Sequence, residues 1–278
     1  MPIQLSGIWI YPVKSLRAIK CESAEVRQRG LEFDRRWMVV DENGRFISQR
    51  EVPGLAAITV TATDDVLLLS SAVAGELSLP NTDRGNLIEV EIWNDRVSAH
   101  DLGRGAAEWI SKATGKSCSL VRLPQEVERY TSIGNSPVSF ADGYPLLLIS
   151  EASLEELNQR LKNPVPMNRF RPNITVNGTR PFAEDSWKAI RIGDAEFEVV
   201  KPCARCVVTT VDQEGGVVSG NEPLRTLSEF RRASEVYPEN YGDFGLSAGG
   251  VLFGQNLIPQ GVRSRIKQGD KVEVIETL

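Results

Sequence analysis

The sequence predicts an α+β protein in which strands dominate. Apolar, β-branched and aromatic residues recur in runs of strand length, and Gly, Asn, Asp or Pro bounds most of these runs. Helical periodicity is confined to a few short stretches. Because strands and helices do not alternate along the chain, a doubly wound sheet is disfavoured. We predict barrel-like sheets with a few flanking helices.

The first hundred residues carry a series of short runs that predict strands. Asn43 and Gly44 stand between two apolar runs, and this pair is a strong signal for a hairpin turn. The runs that predict strands are 5–13, 36–42, 56–63, 65–71 and 88–100. We therefore expect this part of the chain to form a β-rich unit.

Three stretches predict helices. Residues 102–113 repeat apolar side chains at helical spacing, and Gly115 ends the pattern. Residues 153–162 begin with the Ser-x-x-Glu spacing of a capping box. Residues 222–232 place apolar side chains on one side of a third helix. The apolar stripes of these helices indicate core packing.

Strands resume in the second half of the chain. The runs that predict them are 145–150, 171–178, 188–201, 206–212 and 262–276. The pattern is weakest between residues 115 and 140, which makes this stretch the expected boundary between two units. We place the units at 1–118 and 119–278.

Composition narrows the class of function. The chain has 278 residues, a net charge of −5 and a pI of about 5.2, which argue against broad binding of nucleic acid or anionic membranes. No apolar run approaches the roughly 20 residues that span a bilayer, and the first residues lack the pattern of a signal peptide. We therefore expect a cytoplasmic protein. Histidine-based catalysis has one candidate, His100, without a partner pattern, and a structural role is the simpler interpretation.

Two of the four cysteines, Cys203 and Cys206, stand two residues apart. A disulfide is disfavoured in a reducing compartment, and a structural zinc site lacks a second cysteine pair. A thioredoxin-like dithiol would open a helix, whereas the run after Cys206 predicts a strand. Buried packing of both thiols remains open. So does a role for one thiolate as the ligand of a metal whose other ligands come from a cofactor.

Several cations stand at predicted strand ends, where they can converge on a phosphate. These residues are Lys14, Arg35, Arg36, Arg169 and Arg171, and Ser15 and Asn173 can add neutral hydrogen bonds. The alternative interpretation of each cation is a solvated surface charge.

Taken in order, seven segments of the chain resemble the MOSC family of molybdenum-cofactor-binding proteins. They are similar in particular to its amidoxime-reducing members from mitochondria and bacteria. The segments are "YPVKSL", "GLEFDRRWMVVDENGRFISQRE", "FADGYPLLLISEASLEELNQRL", "RFRPNITVNG", "FAEDSW", "PCARCVVTTVD" and "EPLRTL". The resemblance covers nearly the whole chain. It implies a MOSC N-terminal β-rich domain at 1–118 and a MOSC β-barrel with flanking helices at 119–278.

The resemblance also implies an activity and a site. Members of the family bind a molybdopterin cofactor and reduce N-hydroxylated compounds, and Cys206 matches the catalytic cysteine that ligates molybdenum. The positions that match cofactor-binding residues are Lys14, Ser15, Arg35, Asp142, Gly143, Tyr144, Arg171, Pro172 and Asn173. Asp185, Ser186 and Trp187 match a loop expected near the rim of the active site.

The expected partners are a small N-hydroxylated substrate and a separate electron donor. The donor is expected to be a ferredoxin, a cytochrome b5-type protein or a flavin reductase, since no cysteine for an iron–sulfur cluster follows Cys206. Two alternatives stay open. The protein could be a module that binds or carries the pterin cofactor or its sulfur without turnover, or a reductase of sulfoxides or other oxygen donors.

Overall fold

The computed structural model describes residues 2–261 and 263–278. Strands predominate there, which confirms the predicted α+β class. The strands of the first half are β1 (Gln4–Ile10), β2 (Ile19–Cys21), β3 (Ser23–Arg27), β4 (Gly30–Leu31), β5 (Trp37–Val40), β6 (Thr59–Ala62), β7 (Val66–Ser71), β8 (Gly75–Pro80), β9 (Leu87–Ile92), β10 (Asp95–Asp101) and β11 (Ser119–Arg122). Those of the second half are β12 (Leu146–Ser150), β13 (Ile174–Asn177), β14 (Trp187–Ile192), β15 (Ala195–Ala204), β16 (Leu252–Gln260), β17 (Arg263–Lys267) and β18 (Val272–Thr277).

Helices are short and few in the described part of the chain. The α-helices are α1 (Arg104–Thr114), α2 (Glu151–Arg160), α3 (Leu224–Leu227) and α4 (Ala233–Val236). Segments of 3₁₀ helix occupy Pro53–Ala57, Met167–Phe170, Ala183–Ser186 and Val207–Thr210. Within residues 2–261 and 263–278, no helix has both the length and the apolar composition needed to cross a membrane.

The largest sheet joins the two ends of the chain. Its strand order is β18-β14-β15-β16-β12-β13-β1-β2, and β12 and β13 run parallel while the other neighbours are antiparallel. The first two strands of the chain thus extend a sheet that is otherwise built from its second half. Most buried side chains of this sheet form one core with those of β3, β4 and β17, whereas Leu147, Ile149 and Phe253 pack in a separate cluster with α2.

Smaller sheets complete the fold. Their strand orders are β5-β11-β10-β9, β17-β3-β4 and β6-β7-β8. Helix α1 closes a second core around Trp37 and Leu55. Strand β11 lies just after the predicted boundary at residue 118 and pairs with β5 from before it. The division into 1–118 and 119–278 stays a prediction, since hydrogen-bonded sheets join the two segments.

The ends of the first two helices were predicted with different success. Gly115 ends α1 in a left-handed conformation with φ 70°, as expected. The predicted capping box of α2 is wrong: Ser150 is the N-cap and accepts the backbone N–H of Ser153 at 3.1 Å. The change arises because β12 runs directly into α2, so that Ser153 lies within the first turn.

The third predicted helix is wrong in length, since only Leu224–Leu227 of residues 222–232 is α-helical. The backbone of Arg231 instead accepts the N–H of Leu252 at 2.8 Å, which draws the chain onto β16 and breaks the helical ladder. The two strands predicted at 262–276 appear as β17 and β18, which pair with β3 and β14 respectively, and Val262 at the start of that prediction lies outside the described residues.

Candidate functional site

Loops at the ends of five strands enclose a cavity of about 200 Å³. The loops follow β1 and β15 and precede β5, β12 and β13. The predicted site residues that line the cavity are Lys14, Ser15, Arg35, Asp142, Gly143, Tyr144, Arg171, Asn173 and Cys206. The fold therefore brings together residues that lie far apart in the sequence. Pro172 does not line the cavity, and its carbonyl accepts the hydroxyl of Tyr11 at 3.0 Å.

Two arginines flank one buried tyrosine. The guanidinium carbons of Arg35 and Arg171 lie 4.5 and 4.3 Å from the ring centroid of Tyr11. Burial raises the pKa of Tyr11 to about 12, although both arginines oppose this shift. The neutral ring of Tyr11 therefore keeps the guanidinium groups of Arg35 and Arg171 apart at the floor of the cavity.

Asp34 holds Arg35, Tyr11 and Asn173 in this arrangement. It is buried, pairs with Arg35, and accepts the backbone N–H of Tyr11 at 2.8 Å and the side-chain amide of Asn173 at 3.1 Å. Burial opposes the charge of Arg35, but Asp34 raises the pKa of Arg35 above its ordinary value. Asn173 also accepts from Arg35 at 3.0 Å. Arg35 and Asn173 are thus held in one network.

Among the described residues, no carboxylate forms an ion pair with Arg171. It donates to the side chain of Gln213 and to the carbonyl of Leu16, each at 2.8 Å. Burial lowers the pKa of Arg171 to about 10, Tyr11 opposes the shift, and the charge of Arg35 adds to it. The guanidinium remains protonated at neutral pH, and its positive charge is only partly compensated by the protein. A bound anion would relieve this cost.

Lys14 and Asp142 form an ion pair on the opposite wall. Lys14 is buried, also donates to the carbonyl of Phe140 at 3.0 Å, and has a pKa that burial lowers against the opposing effect of Asp142. Asp142 is 62 % exposed and also accepts the indole N–H of Trp93 at 3.1 Å. Desolvation by the cavity walls raises the pKa of Asp142, but the charge of Lys14 lowers it more. The pKa of Asp142 therefore lies well below its usual range.

Cys206 lies where β15 gives way to a 3₁₀ turn. The strand predicted at 206–212 is wrong, because Val207–Thr210 is a 3₁₀ helix with Cys206 as its N-cap. The hydroxyl of Thr209 donates to the carbonyl of Cys206 at 3.0 Å, and that of Thr210 donates to the carbonyl of Val207 at 2.8 Å. Such local bonds compete with a strand ladder.

Arg169 holds the loop that carries Cys206. It is buried and donates to the carbonyl of Thr210 and to the hydroxyl of Ser219, each at 2.8 Å. Arg169 therefore supports the loop that carries Cys206. It does not line the cavity, although the sequence made it a candidate for binding phosphate there. Arg36 also lies elsewhere, in a separate cleft beside Arg29 and Arg122.

The two cysteines have different surroundings. Both are free thiols that line the cavity. Arg205 donates to the sulfur of Cys203 at 2.9 Å, and Cys203 packs against an apolar cluster around Phe170. The exposed Arg50 donates to the sulfur of Cys206 at 3.2 Å. In the described part of the chain, no group of three or more His, Cys, Asp and Glu is placed to hold a metal ion.

Backbone strain clusters at this cavity. Ser15, Arg35 and Arg171 have φ angles of 72°, 52° and 55°, in the left-handed region that favours glycine. Each such residue costs on the order of 1–3 kcal/mol and persists only where the surrounding structure imposes it. Strain of this kind is concentrated at binding and catalytic sites.

The loop 185–187 does not line the cavity, and its expected place near the rim stays a prediction. Asp185 pairs with Arg231 at 2.7 Å and accepts the amide of Gln255 at 2.7 Å, while Trp187 is buried in the core of the largest sheet. The buried Arg231 draws the carboxylate of Asp185 inward. The loop thus joins β14 to the α3–α4 segment.

Several lining residues were not predicted. They are Ser48, Gln49, Arg50, Ala141, Leu146, Leu147, Phe170, Cys203, Ala204, Arg205, Val208, Thr209 and Asn256. Gln49 exchanges amide hydrogen bonds of 3.1 and 2.8 Å with Gln213, the partner of Arg171. A signal for Gln49 and Arg50 was present, since polar residues follow the hairpin at Asn43–Gly44 without any periodic pattern.

The fold is that of a MOSC-domain protein. The family model described as "MOSC domain" matches residues 135–273, and the model described as "MOSC N-terminal beta barrel domain" matches residues 3–117. The chain belongs to the MOSC-domain family that includes the mitochondrial amidoxime-reducing components.

Relatives with that name are similar over most of their length. Mitochondrial amidoxime-reducing component 1 of Mus musculus is 36% identical, over 98% of this chain and 82% of that protein. Its Homo sapiens counterpart is 34% identical over the same shares. Mitochondrial amidoxime reducing component 2 of Bos taurus is 34% identical over 82% of this chain and 72% of that protein.

Proposed function

We propose that this protein reduces N-hydroxylated compounds with a molybdenum–pterin cofactor, and that Cys206 is the protein ligand of the metal. The observation that carries the proposal is that the thiol of Cys206 and the cations Lys14, Arg35 and Arg171 line a single cavity. Lys14, Arg35 and Arg171 suit the phosphate of such a cofactor, since guanidinium forks and ammonium groups bind phosphate oxygens. The names of the relatives support an amidoxime substrate.

The donor set fits this cofactor. Among the described residues no protein cluster can hold a metal alone, so a metal at Cys206 has to bring further ligands with it. The partly compensated charge of Arg171 favours a bound anion in the cavity, and the strained backbone at Ser15, Arg35 and Arg171 is typical of a binding or catalytic site. Asn173 and Ser15 add neutral hydrogen-bonding groups beside these cations.

When bound, the group supplies two-electron oxygen-atom chemistry, in which an N–OH compound, two electrons and two protons yield the N–H product and water. The chain itself binds and orients. Arg35 and Arg171 keep fixed positions on the two faces of Tyr11, and Lys14 is held by Asp142. Cys206 stands at the cavity wall on a loop anchored by Arg169.

The remaining expectations belong to the same proposal. Electrons are expected from a separate ferredoxin, cytochrome b5-type protein or flavin reductase. The cytoplasmic location stays a prediction, and the relatives carry mitochondrial names.

Metal and pterin analysis of the isolated protein, together with reduction of benzamidoxime by a chemical reductant, tests the proposal. We expect molybdenum, pterin and turnover in the wild type. Cys206→Ser should keep the fold, abolish turnover and weaken metal retention, because the ligand is removed. Cys203→Ser is the matched control and should have a milder effect.

Full molybdenum and full turnover in Cys206→Ser would refute the ligand assignment. Zinc without pterin in the wild type would overturn the proposal as a whole. Cofactor binding without turnover would favour the carrier module, and reduction of sulfoxides alone would replace the substrate class.

A further inference from the structure

A second cleft, of about 500 Å³, adjoins the cavity of Cys206. Gln49 and Arg50 line both spaces, so the two are separated by little more than these side chains. The cleft's apolar lining consists of Val207, Val211, Val218, Leu224 and Val251. We call it the valine cleft. Its size lies in the range of sites that hold a small organic molecule.

The valine cleft presents apolar surface to solvent. The side chains of Val207 and Val218 are 53 % and 57 % exposed, although most of the neighbouring apolar residues are partly or fully buried. Both side chains line the same cleft, where an apolar ligand would remove their surface from water.

The backbone around these valines is fixed by hydrogen bonds. Val211 and Val218 face each other in an isolated antiparallel bridge, and Ser219 donates to the carbonyl of Thr210 at 3.1 Å. Arg169 ties both Thr210 and Ser219 from beneath. The exposed position of Val218 is therefore set by the fold.

The cleft lies next to the proposed metal ligand. Val207 directly follows Cys206, and the guanidinium of Arg50 lies both 3.2 Å from the sulfur of Cys206 and 4.8 Å from the ring centroid of Trp93. A cavity of about 200 Å³ that holds a cofactor leaves little room for the body of a substrate. The adjoining apolar space is the place where that body can lie.

We propose that the valine cleft binds the apolar part of the N-hydroxylated substrate, and that Val207 and Val218 make the enzyme select substrates with hydrocarbon substituents. The proposal rests on the proposed function. Each methylene group that is buried against apolar side chains strengthens binding by about fourfold. The affinity of a homologous series should therefore rise with chain length until the cleft is filled.

The test uses straight-chain amidoximes from acetamidoxime to hexanamidoxime. Calorimetric titration gives their affinity for the holoenzyme, and steady-state kinetics gives their KM. We expect affinity to rise about fourfold per methylene in the wild type. Val207→Ser and Val218→Ser should flatten this slope, so that the loss of affinity relative to the wild type grows with chain length and is smallest for acetamidoxime. Val217→Ser is the matched control, since Val217 is 59 % exposed but lies outside the cleft.

The readouts separate the two proposals. Rising affinity without turnover would refute the reductase and keep the cleft as a binding site. Turnover with a slope that Val207→Ser and Val218→Ser leave unchanged would refute the cleft and keep the reductase. A wild type without any slope would also overturn the cleft as a substrate site.

Discussion

The guanidinium of Arg50 reaches the sulfur of Cys206, with 3.2 Å between Nη2 and Sγ. Arg50 is otherwise exposed, and the ring of Trp93 supports it from the other side at 4.8 Å. A guanidinium at this distance stabilises negative charge on a sulfur atom and fixes its direction. Arg50 therefore connects the thiol with the rim of the cavity.

Arg50→Met should lower kcat/KM for benzamidoxime by roughly ten- to hundredfold, since a hydrogen bond to a charged group contributes about 1.5–3 kcal/mol. The fold should be unaffected because Arg50 is exposed. Arg45→Met, in the same segment and also exposed, serves as the control. Equal rates in Arg50→Met and the control would show that the contact has no part in turnover.

Asp34→Asn should destabilise the protein by about 3–5 kcal/mol, because it leaves the buried charge of Arg35 without its partner. Urea unfolding measures the loss. Asp64→Asn, at an exposed position, should change the free energy of unfolding little. A small effect of Asp34→Asn would mean that water or another group satisfies Arg35.

Tyr11 should make stability fall at alkaline pH. Its pKa is about 12 in the folded protein and about 10 when unfolded, so between these values the folded state binds more protons. The stabilisation is fully present below pH 10 and is lost as pH rises towards 12, by about 3 kcal/mol at most. Urea unfolding of the wild type and of Tyr11→Phe measures this loss as their difference between these pH values. Parallel curves would contradict the shift.

Arg169→Met should loosen the cysteine loop. It removes the hydrogen bonds that the guanidinium donates to Thr210 and Ser219, and a hydrogen bond to a charged group contributes about 1.5–3 kcal/mol. Hydrogen exchange over residues 206–219 should accelerate. Arg104→Met, at an exposed position on α1, should leave that exchange unchanged. Unchanged exchange in Arg169→Met would show that other contacts hold the loop.

Much of the fold could be predicted because many of its strands are apolar runs that are visible in the sequence. β7, β12 and the β14–β15 hairpin coincide with apolar runs between turn residues, and α1 ends at Gly115 as expected. Sequence could not predict the conformation after Cys206. The β-branched run there favours a strand, but hydroxyl groups and the buried Arg169 capture the carbonyls that a strand would use.

The residues of the site, too, could be predicted only in part from the sequence. The resemblance selected nine residues that line one cavity, whereas local sequence alone left Arg36 and Arg169 equal to Arg35 and Arg171 as candidates. Only tertiary contacts separate them, since Arg169 turns inward to backbone carbonyls and Arg36 lies in another cleft. Arg50 was missed because its role depends on the approach of Cys206, which is distant in sequence.

The placement of β1 within the sheet of the second half has a consequence for biogenesis. Lys14 and Ser15 enter the cavity only after β1 has paired with β13, and Cys206 enters only after β15 has paired with β16. Contacts of such long range form late, because closing large loops is entropically costly. We therefore expect the cofactor to load into the finished fold after synthesis is complete, and then to stabilise it by mass action.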